Sequence, residues 1–151
     1  MRVSLGIVFF PHGAQKLLGW FEGSGFSETM GFFTEKMGIP VLLAFLAIMA
    51  ESIGAVALIT GFFTRIAALG IATNMIVAIF MVHLPHGFFM NWFGKQKGEG
   101  YEYHLLAIAL AVALIVRGGG KFSIDGILAK MFRGLTPRKE NCAATKKENP
   151  Q

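Results

Sequence analysis

Apolar residues fill four long stretches of this chain, and polar residues are concentrated between them. The stretches cover about residues 3–18, 39–61, 66–84 and 102–116. A helix needs roughly 20 mainly apolar residues to cross the hydrocarbon layer of a membrane. The second and third stretches reach that length. The first and fourth do so only if the aromatic residues beside them lie in the membrane interface. The pattern therefore predicts four transmembrane helices.

A soluble four-helix bundle is the competing interpretation of the same pattern. Its helices would carry polar stripes on their outer faces at the helical period, and the stretch at residues 66–84 carries none. Hydrophobic residues make up 54% of the chain and charged residues 15%, which is a balance typical of integral membrane proteins. The sequence thus predicts an all-α fold, a four-transmembrane-helix bundle.

The basic residues predict the orientation of this bundle. Only four of the 14 lysines and arginines fall on one side of the predicted spans, namely Lys16, Lys36, Lys95 and Lys97. The other ten fall on the side of the termini. Because cytoplasmic segments carry the excess of basic residues, we expect both the N and C termini to be cytoplasmic.

The net charge of +5 comes mainly from the C-terminal tail. Anionic membrane lipids attract a basic tail of this kind, so no nucleic-acid partner is predicted.

Two short helices are predicted outside the spans. The loop at residues 19–38 is long enough for a helix that lays apolar side chains on the outer membrane surface. After the fourth span, Ser123 is placed to cap a second short helix. We expect that helix to lie along the cytoplasmic interface.

The remaining segments divide the chain into a membrane domain and a tail. His12 and Lys16 interrupt the first stretch and no small-residue cleavage site follows, so we expect it to remain as a helix and not to be a removed signal peptide. We predict a membrane domain at residues 1–133 and a polar, basic, disordered tail at residues 134–151. Cys142, the only cysteine, lies in that tail. The sequence therefore has no CxxC pair, and any redox chemistry must use another carrier.

Short motifs in a fixed order along the chain resemble those of the DoxX family. They are Arg2-x3-Gly6, PHGAQKL at 11–17, ESIG at 51–54, LITG at 58–61 with Thr64-Arg65, His83 with GFF at 87–89, GYEY at 100–103, and Gly118-x-Gly120 with SID at 123–125. The resemblance covers about residues 2–130. It implies a four-helix protein of the bacterial inner (plasma) membrane, whose relatives include the small membrane subunit of thiosulfate:quinone oxidoreductase and proteins tied to thiol and oxidative-stress redox systems. Most members have no assigned activity, so the resemblance alone does not settle the function.

Most ionisable residues within or beside the spans lie toward one end of the predicted bundle. This outer group comprises His12, Lys16, His83, His86, Glu102 and His104. Glu51 lies twelve residues after the start of its span and Asn74 ten residues before the end of its own, so a rise of about 1.5 Å per residue places both near the midplane. A charge at that depth is unfavourable by at least a few kcal/mol unless it is paired or neutralised. We therefore expect Glu51 to face the interior and to contact Asn74, His12 or Lys16.

Helical geometry limits which of these side chains face inward together. His12 and Lys16 are four residues apart and share a face. Glu102 and His104 are about 200° apart on an ideal helix and cannot both point inward, unless Glu102 belongs to the helix entry. Because the resemblance runs through Glu102 and Tyr103, we predict that Glu102 is the inward residue.

The leading functional hypothesis is a quinone-linked redox subunit. In this hypothesis His12 or His83 hydrogen-bonds a quinone oxygen while Glu51 or Glu102 carries the proton, because histidine titrates near neutral pH. The catalytic candidates are Glu51, Glu102, His12 and Lys16, and the quinone-binding candidates are His12, His83, Asn74, Phe89 and Trp92. The two aromatic residues supply surface on which a ring can stack.

Three other functions remain open from the sequence. Histidines that face one another in a bundle can hold a haem or a metal ion, although no spacing here requires it and no metal ligand is assigned. A non-catalytic accessory or anchor subunit, in a larger membrane complex or a homo-oligomer surrounded by membrane lipids, would use the polar groups to hold helices together. A small transporter is typically built from repeats with broken helices, and no internal repeat is evident.

Overall fold

The computed structural model describes residues 1–135, and every regular element in that part of the chain is helical. The six α-helices are α1 (Arg2–Leu18), α2 (Gly25–Gly31), α3 (Val41–Thr60), α4 (Thr64–Ala78), α5 (Glu102–Arg117) and α6 (Ile124–Leu135). Helix α2 continues as a π-helical turn, Phe32–Lys36, and α4 continues as a π-helical turn and a 3-10 turn, Ile79–His83 and Leu84–His86. The predicted all-α fold is confirmed. The disordered tail predicted from residue 134 falls almost wholly outside the described residues.

Four long helices coincide with the four apolar stretches of the sequence. Helix α3, with 20 residues, and the 23-residue helical segment Thr64–His86 are long and apolar enough to cross a membrane. Helices α1 and α5 are shorter, with 17 and 16 residues. Large apolar side chains such as Leu42, Ile66 and Phe80 stand on the outer surface, which is the reverse of a soluble bundle.

The long helices pack in the order α1, α3, α4 and α5, and a smaller contact between α1 and α5 closes the bundle. Its two ends differ. The end formed by Arg2, the turn between α3 and α4, and α6 is called the basal end. The end formed by α2 and the loop at residues 87–101 is called the distal end.

Glycines on α1 allow it to approach α3 closely. A Cβ added at Gly13 would lie 2.5 Å from the Ser52 Cα, and one at Gly6 would lie 2.9 Å from the Ala55 carbonyl oxygen. The Ser52 hydroxyl lies 3.0 Å from the Gly13 carbonyl oxygen and donates across this interface. Backbone approach of this kind holds membrane helices together where lipid supplies no hydrophobic drive between them.

Small residues also line the other helix contacts. A Cβ at Gly70 of α4 would lie 3.1 Å from the Ala50 Cβ of α3, and Gly54 packs near the Ile71 side chain. Ala107 and Ala111 of α5 are almost fully buried. Among these contacts between the long helices, the one between α1 and α3 at Gly13 is the closest.

The guanidinium of Arg2 joins three segments at the basal end. Its Nη1 donates to the Leu58 and Ile59 carbonyl oxygens, each at 2.8 Å, and its Nη2 donates to the Phe122 carbonyl oxygen at 2.9 Å. The last carbonyls of a helix lack partners within the helix and carry partial negative charge. Arg2 therefore caps α3 and ties α1 to the segment that leads into α6.

Asp125 holds α6 against the start of α4. Its carboxylate accepts hydrogen bonds from the Phe63 and Thr64 backbone N–H groups, each at 2.9 Å. Burial raises the pKa of Asp125, but the hydrogen bonds from Thr64 and Phe63 and the charge of Arg2 outweigh burial and hold that pKa below its usual value. The predicted cap of α6 is also confirmed, since the Ser123 hydroxyl accepts the Gly126 N–H at 3.0 Å.

At the distal end, α2 and its π-helical turn lie against α1 and α3. The short helix predicted in the loop at residues 19–38 is therefore confirmed. The Lys16 ammonium lies 5.9 Å from the centre of the Phe33 ring, within the range of a cation–π contact. This contact brings α2 next to the polar groups described below.

The close approach of α1 to α3 predicts that Gly13→Ala destabilises the bundle. The added methyl group would meet the backbone of Glu51 and Ser52, which cannot rotate away, so we expect a loss of about 1–3 kcal/mol in the free energy of unfolding. Gly31→Ala is the matched control, because a Cβ at Gly31 meets no atom within 4 Å. Denaturation in detergent checks both variants, and equal stability of the two would contradict the close packing.

Candidate functional site

A buried carboxyl group lies near the middle of the bundle's length. Glu51 of α3 is 4% exposed. Lys16 of α1 forms an ion pair with its Oε2 atom, and the side-chain nitrogen of Asn74 of α4 lies 3.4 Å from its Oε1 atom. The predicted contacts of Glu51 with Lys16 and Asn74 are confirmed. The hydrogen bonds of Glu51 do not include His12.

These contacts connect three helices through one side chain. Asn74 also donates to the Ala47 carbonyl oxygen of α3 at 2.7 Å, which fixes the orientation of its amide. The Lys16 side chain is 31% exposed, whereas that of Glu51 is 6% exposed. Lysine can bury its aliphatic stem and keep its ammonium at a polar boundary. Lys16 therefore reaches from the surface of the bundle to the buried carboxylate.

Two histidines face each other between α4 and α5. The ring centres of His83 and His104 are 4.0 Å apart. The His83 Nδ1 atom lies 2.7 Å from the Glu99 carbonyl oxygen. Because a carbonyl only accepts, that Nδ1 carries the proton in this arrangement. A neutral His83 then presents its other ring nitrogen as an acceptor.

The prediction that Glu102 rather than His104 faces inward was wrong. His104 is 7% exposed and buried among the helices, whereas Glu102 is partly exposed. Glu102 is the first residue of α5, and its Oε2 atom lies 3.4 Å from the Met90 backbone nitrogen of the preceding loop. A residue in the first helical turn can satisfy its carboxylate from that loop, so the inward position two residues later falls to His104.

Two buried polar atoms beside these histidines have no hydrogen-bond partner. They are the Tyr103 hydroxyl oxygen and the His104 Nδ1 atom. The Tyr103 ring stacks on Phe9 of α1 at 6.3 Å and meets the His104 ring edge-on at 5.6 Å. Buried polar groups are usually satisfied, so these two atoms are candidates for contact with a further hydrogen-bonding group.

We refer to six residues together as the polar cluster. They are Lys16, Glu51, Asn74, His83, Tyr103 and His104. The carboxyl side, Lys16, Glu51 and Asn74, and the histidine side, His83, Tyr103 and His104, lie on long helices that pack against one another around the bundle. His12 itself is exposed, and its ring lies 6.4 Å from the Phe9 ring. It therefore stands at the rim of the cluster.

The aromatic candidates Phe89 and Trp92 lie in the loop at residues 87–101. They are 67% and 79% exposed, and Phe89 packs edge-on against Phe88 at 5.1 Å. The rings that lie beside histidines belong instead to Phe9 and Tyr103. Phe89 and Trp92 thus lie on the distal surface and not beside the buried histidine. Their positions in the sequence did not indicate this exposure.

An open cleft of about 650 Å³ lies beside the carboxyl side of the cluster. It is formed by the end of α1, by α2 and by the π-helical turn after α2. The residues that line it are Gln15, Lys16, Gly23, Ser24, Glu28, Thr29, Gly31, Phe32, Phe33, Glu35 and Lys36. Lys16 is the residue that belongs both to the cleft wall and to the polar cluster.

Chemically, the polar cluster combines proton carriers with hydrogen-bonding groups in apolar surroundings. A carboxylate, an ammonium, two imidazoles and a phenol lie together, and low local dielectric strengthens the interactions among them. Within residues 1–135, no group of three histidine, cysteine, aspartate or glutamate side chains is arranged to hold a metal ion. Sequence reasoning missed Tyr103 and His104 as site residues. The sequence did offer an indication of both residues, because Tyr103 and His104 are two polar residues that directly follow Glu102 at the start of an apolar helix.

Comparison with known proteins adds a family to this geometry. The DoxX family model matches residues 1–84. "Putative oxidoreductase CatD" of Bacillus subtilis (strain 168) is 34% identical over 114 residues, which cover 76% of this chain and 75% of that protein. "Inner membrane protein YqjF" of Escherichia coli (strain K12) is 32% identical over 116 residues, covering 76% and 82%. An "Uncharacterized protein" of Haemophilus influenzae is 28% identical over 134 residues, covering 87% and 83%. No solved structure matches the chain significantly.

The burial of Glu51 predicts strong coupling between Lys16 and Glu51. Lys16→Met leaves the carboxylate without its cation, and we expect it to lower the free energy of unfolding by about 3 kcal/mol, at the low end for a buried pair because Lys16 is partly exposed. Glu51→Gln should cost less, and the double variant should recover part of the loss. Lys36→Met, at an exposed lysine on the π-helical turn, is the control and should change stability little. Additive losses in the double variant would show that the two groups do not interact.

Proposed function

The chain belongs to the DoxX family, and on that premise we propose that it is a small membrane subunit of a quinone-linked redox system in the bacterial inner membrane. The observation that carries the proposal is the pair of unpartnered buried atoms, Tyr103 Oη and His104 Nδ1, beside the buried carboxyl of Glu51. A quinone offers a flat apolar ring with hydrogen-bond acceptors at its edge. Those features match a phenol, an imidazole and the neighbouring Phe9 ring.

The names of the relatives support the location and the class of chemistry. One is named as an inner membrane protein and another as an oxidoreductase. We propose that all four long helices span the membrane, with α1 and α5 completed by interfacial aromatic residues at the distal end. The ten-to-four division of basic residues then places the basal end and both termini in the cytoplasm. The polar cluster accordingly lies toward the outer leaflet.

When bound, a quinone supplies the capacity to take up two electrons and two protons. The chain supplies binding groups and proton carriers. Tyr103 and His104 would donate hydrogen bonds to the quinone oxygens, and His83 packs against His104. The Glu51 carboxylate would take up and release the proton, and Lys16 and Asn74 hold it between α1 and α4.

The other candidates from the sequence take peripheral places in this proposal. His12 stands at the exposed rim beside Phe9, where a ligand that enters from the membrane between α1 and α5 would pass. Glu102, Phe89 and Trp92 lie on the distal surface, and their roles in proton transfer or in quinone binding stay predictions. Haem or metal binding by the histidines also remains a hypothesis.

A non-catalytic accessory subunit is the second candidate, and one observation favours it. Glu51 connects α1, α3 and α4 through its contacts with Lys16 and Asn74, which is what a structural polar network in a membrane protein does. In that function the same residues would stabilise the chain for packing against a larger complex, and no quinone would be bound.

The proposed topology predicts opposite accessibility at the two ends of the bundle. In a Cys142→Ser background, Lys97→Cys lies in the distal loop and Lys121→Cys lies at the basal end, both at exposed positions. A membrane-impermeant thiol reagent should label Lys97→Cys in intact cells and Lys121→Cys only after permeabilisation. Labelling in the reverse order would refute the orientation.

Quinone binding is expected to depend on the two unpartnered atoms. Tyr103→Phe and His104→Leu each remove one hydrogen bond, which should weaken binding of a quinone analogue by about tenfold per 1.4 kcal/mol lost. The measurement is photoaffinity labelling or quinone retention by the purified chain in lipid nanodiscs. His86→Leu is the control, because His86 lies in the 3-10 turn outside the cluster.

His12→Ala and Glu102→Gln in the same assay test the peripheral candidates. If wild type binds no quinone, or Tyr103→Phe and His104→Leu bind normally, the accessory function replaces this proposal.

A further inference from the structure

The distal cleft and the buried carboxyl share one side chain. Lys16 lines the cleft of about 650 Å³ and forms the ion pair with Glu51. The cleft wall is more apolar than polar in area, but it also carries hydroxyl, amide, ammonium and carboxylate groups from α1, α2 and the π-helical turn. Lys16 is therefore the point at which an open cleft with polar groups in its wall meets a carboxyl group that has almost no exposed surface of its own.

We propose that this cleft is the aqueous route by which Glu51 exchanges protons, with Lys16 as the carrier between cleft water and the carboxylate. The inference deepens the proposed function, because it names the source of protons for the quinone site. It needs no quinone for its test. Water is the ligand that it assigns to the cleft.

The transfer is balanced in two steps. The Lys16 ammonium gives one proton to the Glu51 carboxylate, which leaves a neutral amine and a neutral carboxylic acid. Hydronium in the cleft then returns a proton to the amine and leaves water, so the net change is one proton moved from the cleft to Glu51. Burial in a low-dielectric interior disfavours charged groups. The neutral amine and carboxylic acid formed in the first step are therefore acceptable there, because neither carries a desolvated charge.

Charged groups from every neighbouring element surround this route. Glu28 on α2 and Glu35 and Lys36 on the π-helical turn line the cleft. Asn74, Tyr103 and His104 lie on the inner side, on α4 and α5. The cleft walls thus carry both signs of charge, which suits a hydrated passage better than a site for one ion.

Lys16→Arg separates proton carriage from ion pairing. Arginine keeps the positive charge beside Glu51, and the partly exposed Lys16 side chain has the cleft as room for a larger group. A guanidinium stays protonated in proteins. Its higher pKa should make it a poorer proton donor on the order of a hundredfold or more.

The measurement is time-resolved infrared spectroscopy of the full chain in lipid bilayers after a pH jump. The carbonyl band of protonated Glu51 is assigned by its loss in Glu51→Gln. In wild type we expect the band to appear rapidly as pH falls, and in Lys16→Arg to appear at least about tenfold more slowly, with the folded fraction unchanged. Equal rates in the two proteins would overturn the role of Lys16. A Glu51 band that never titrates would overturn the whole inference.

A second arm tests the cleft without altering the polar cluster. In the Cys142→Ser background, Ser24→Cys places a thiol in the cleft wall directly before α2, and Ser27→Cys places one at an exposed position of α2 that does not line the cleft. A bulky thiol reagent on Ser24→Cys should slow protonation of Glu51, whereas the same reagent on Ser27→Cys should not. If both labels have the same effect, protons reach Glu51 by another path.

The two proposals fail separately under these tests. Absence of quinone binding by the wild-type chain, with normal proton exchange, would refute the redox function and leave the cleft as a proton route to a structural carboxyl. Normal quinone binding with proton exchange that is insensitive to Lys16→Arg and to the Ser24 label would refute the cleft route alone.

Discussion

Glu51 is a carboxyl group in the interior of four apolar helices, where an unpaired carboxylate is unfavourable by several kcal/mol. The surrounding helices are arranged to satisfy it. Lys16 reaches it from α1 and Asn74 from α4, and the glycine at position 13 lets α1 approach the α3 backbone beside it. The requirement to neutralise one buried charge thereby fixes the relative placement of three helices and concentrates chemistry at the distal half of the bundle.

The two ends of the molecule use polar groups for different purposes. At the basal end, Arg2 and Asp125 bond to the free carbonyl and N–H groups of helix ends, so their hydrogen-bonding capacity is used for holding α6 and the helix turn. At the distal end, Tyr103 and His104 keep buried atoms without partners. Thr64 at the basal end also has a buried hydroxyl oxygen without a partner, but the neighbouring carboxylate of Asp125 is already bonded to the Phe63 and Thr64 N–H groups. Tyr103 and His104, in contrast, lie against each other, and this pair of unpartnered groups is the reason the proposed function is placed at the distal end.

Hydrophobic pattern alone determined much of the fold. The apolar stretches became α1, α3, α4 and α5 within two residues of most predicted boundaries, because a helix that satisfies its own backbone is the direct solution for a long apolar segment. The Ser123 cap and the contacts of Glu51 with Lys16 and Asn74 also followed from sequence, since they depend on local spacing and on depth along a straight helix. The family followed from short motifs, several of which the structure explains: Arg2 caps α3, and Asp125 caps α4.

Tertiary structure decided what depth and periodicity leave undetermined. The rotation of α5 turned His104 inward and left Glu102 at the loop, because the first turn of a helix can be satisfied from outside it. The path of the chain after His83 placed Phe89 and Trp92 on the surface. Helix α2 and the π-helical turn after it formed the cleft beside Lys16. Rotation and loop path depend on contacts between distant segments, and no local pattern along one chain encodes them.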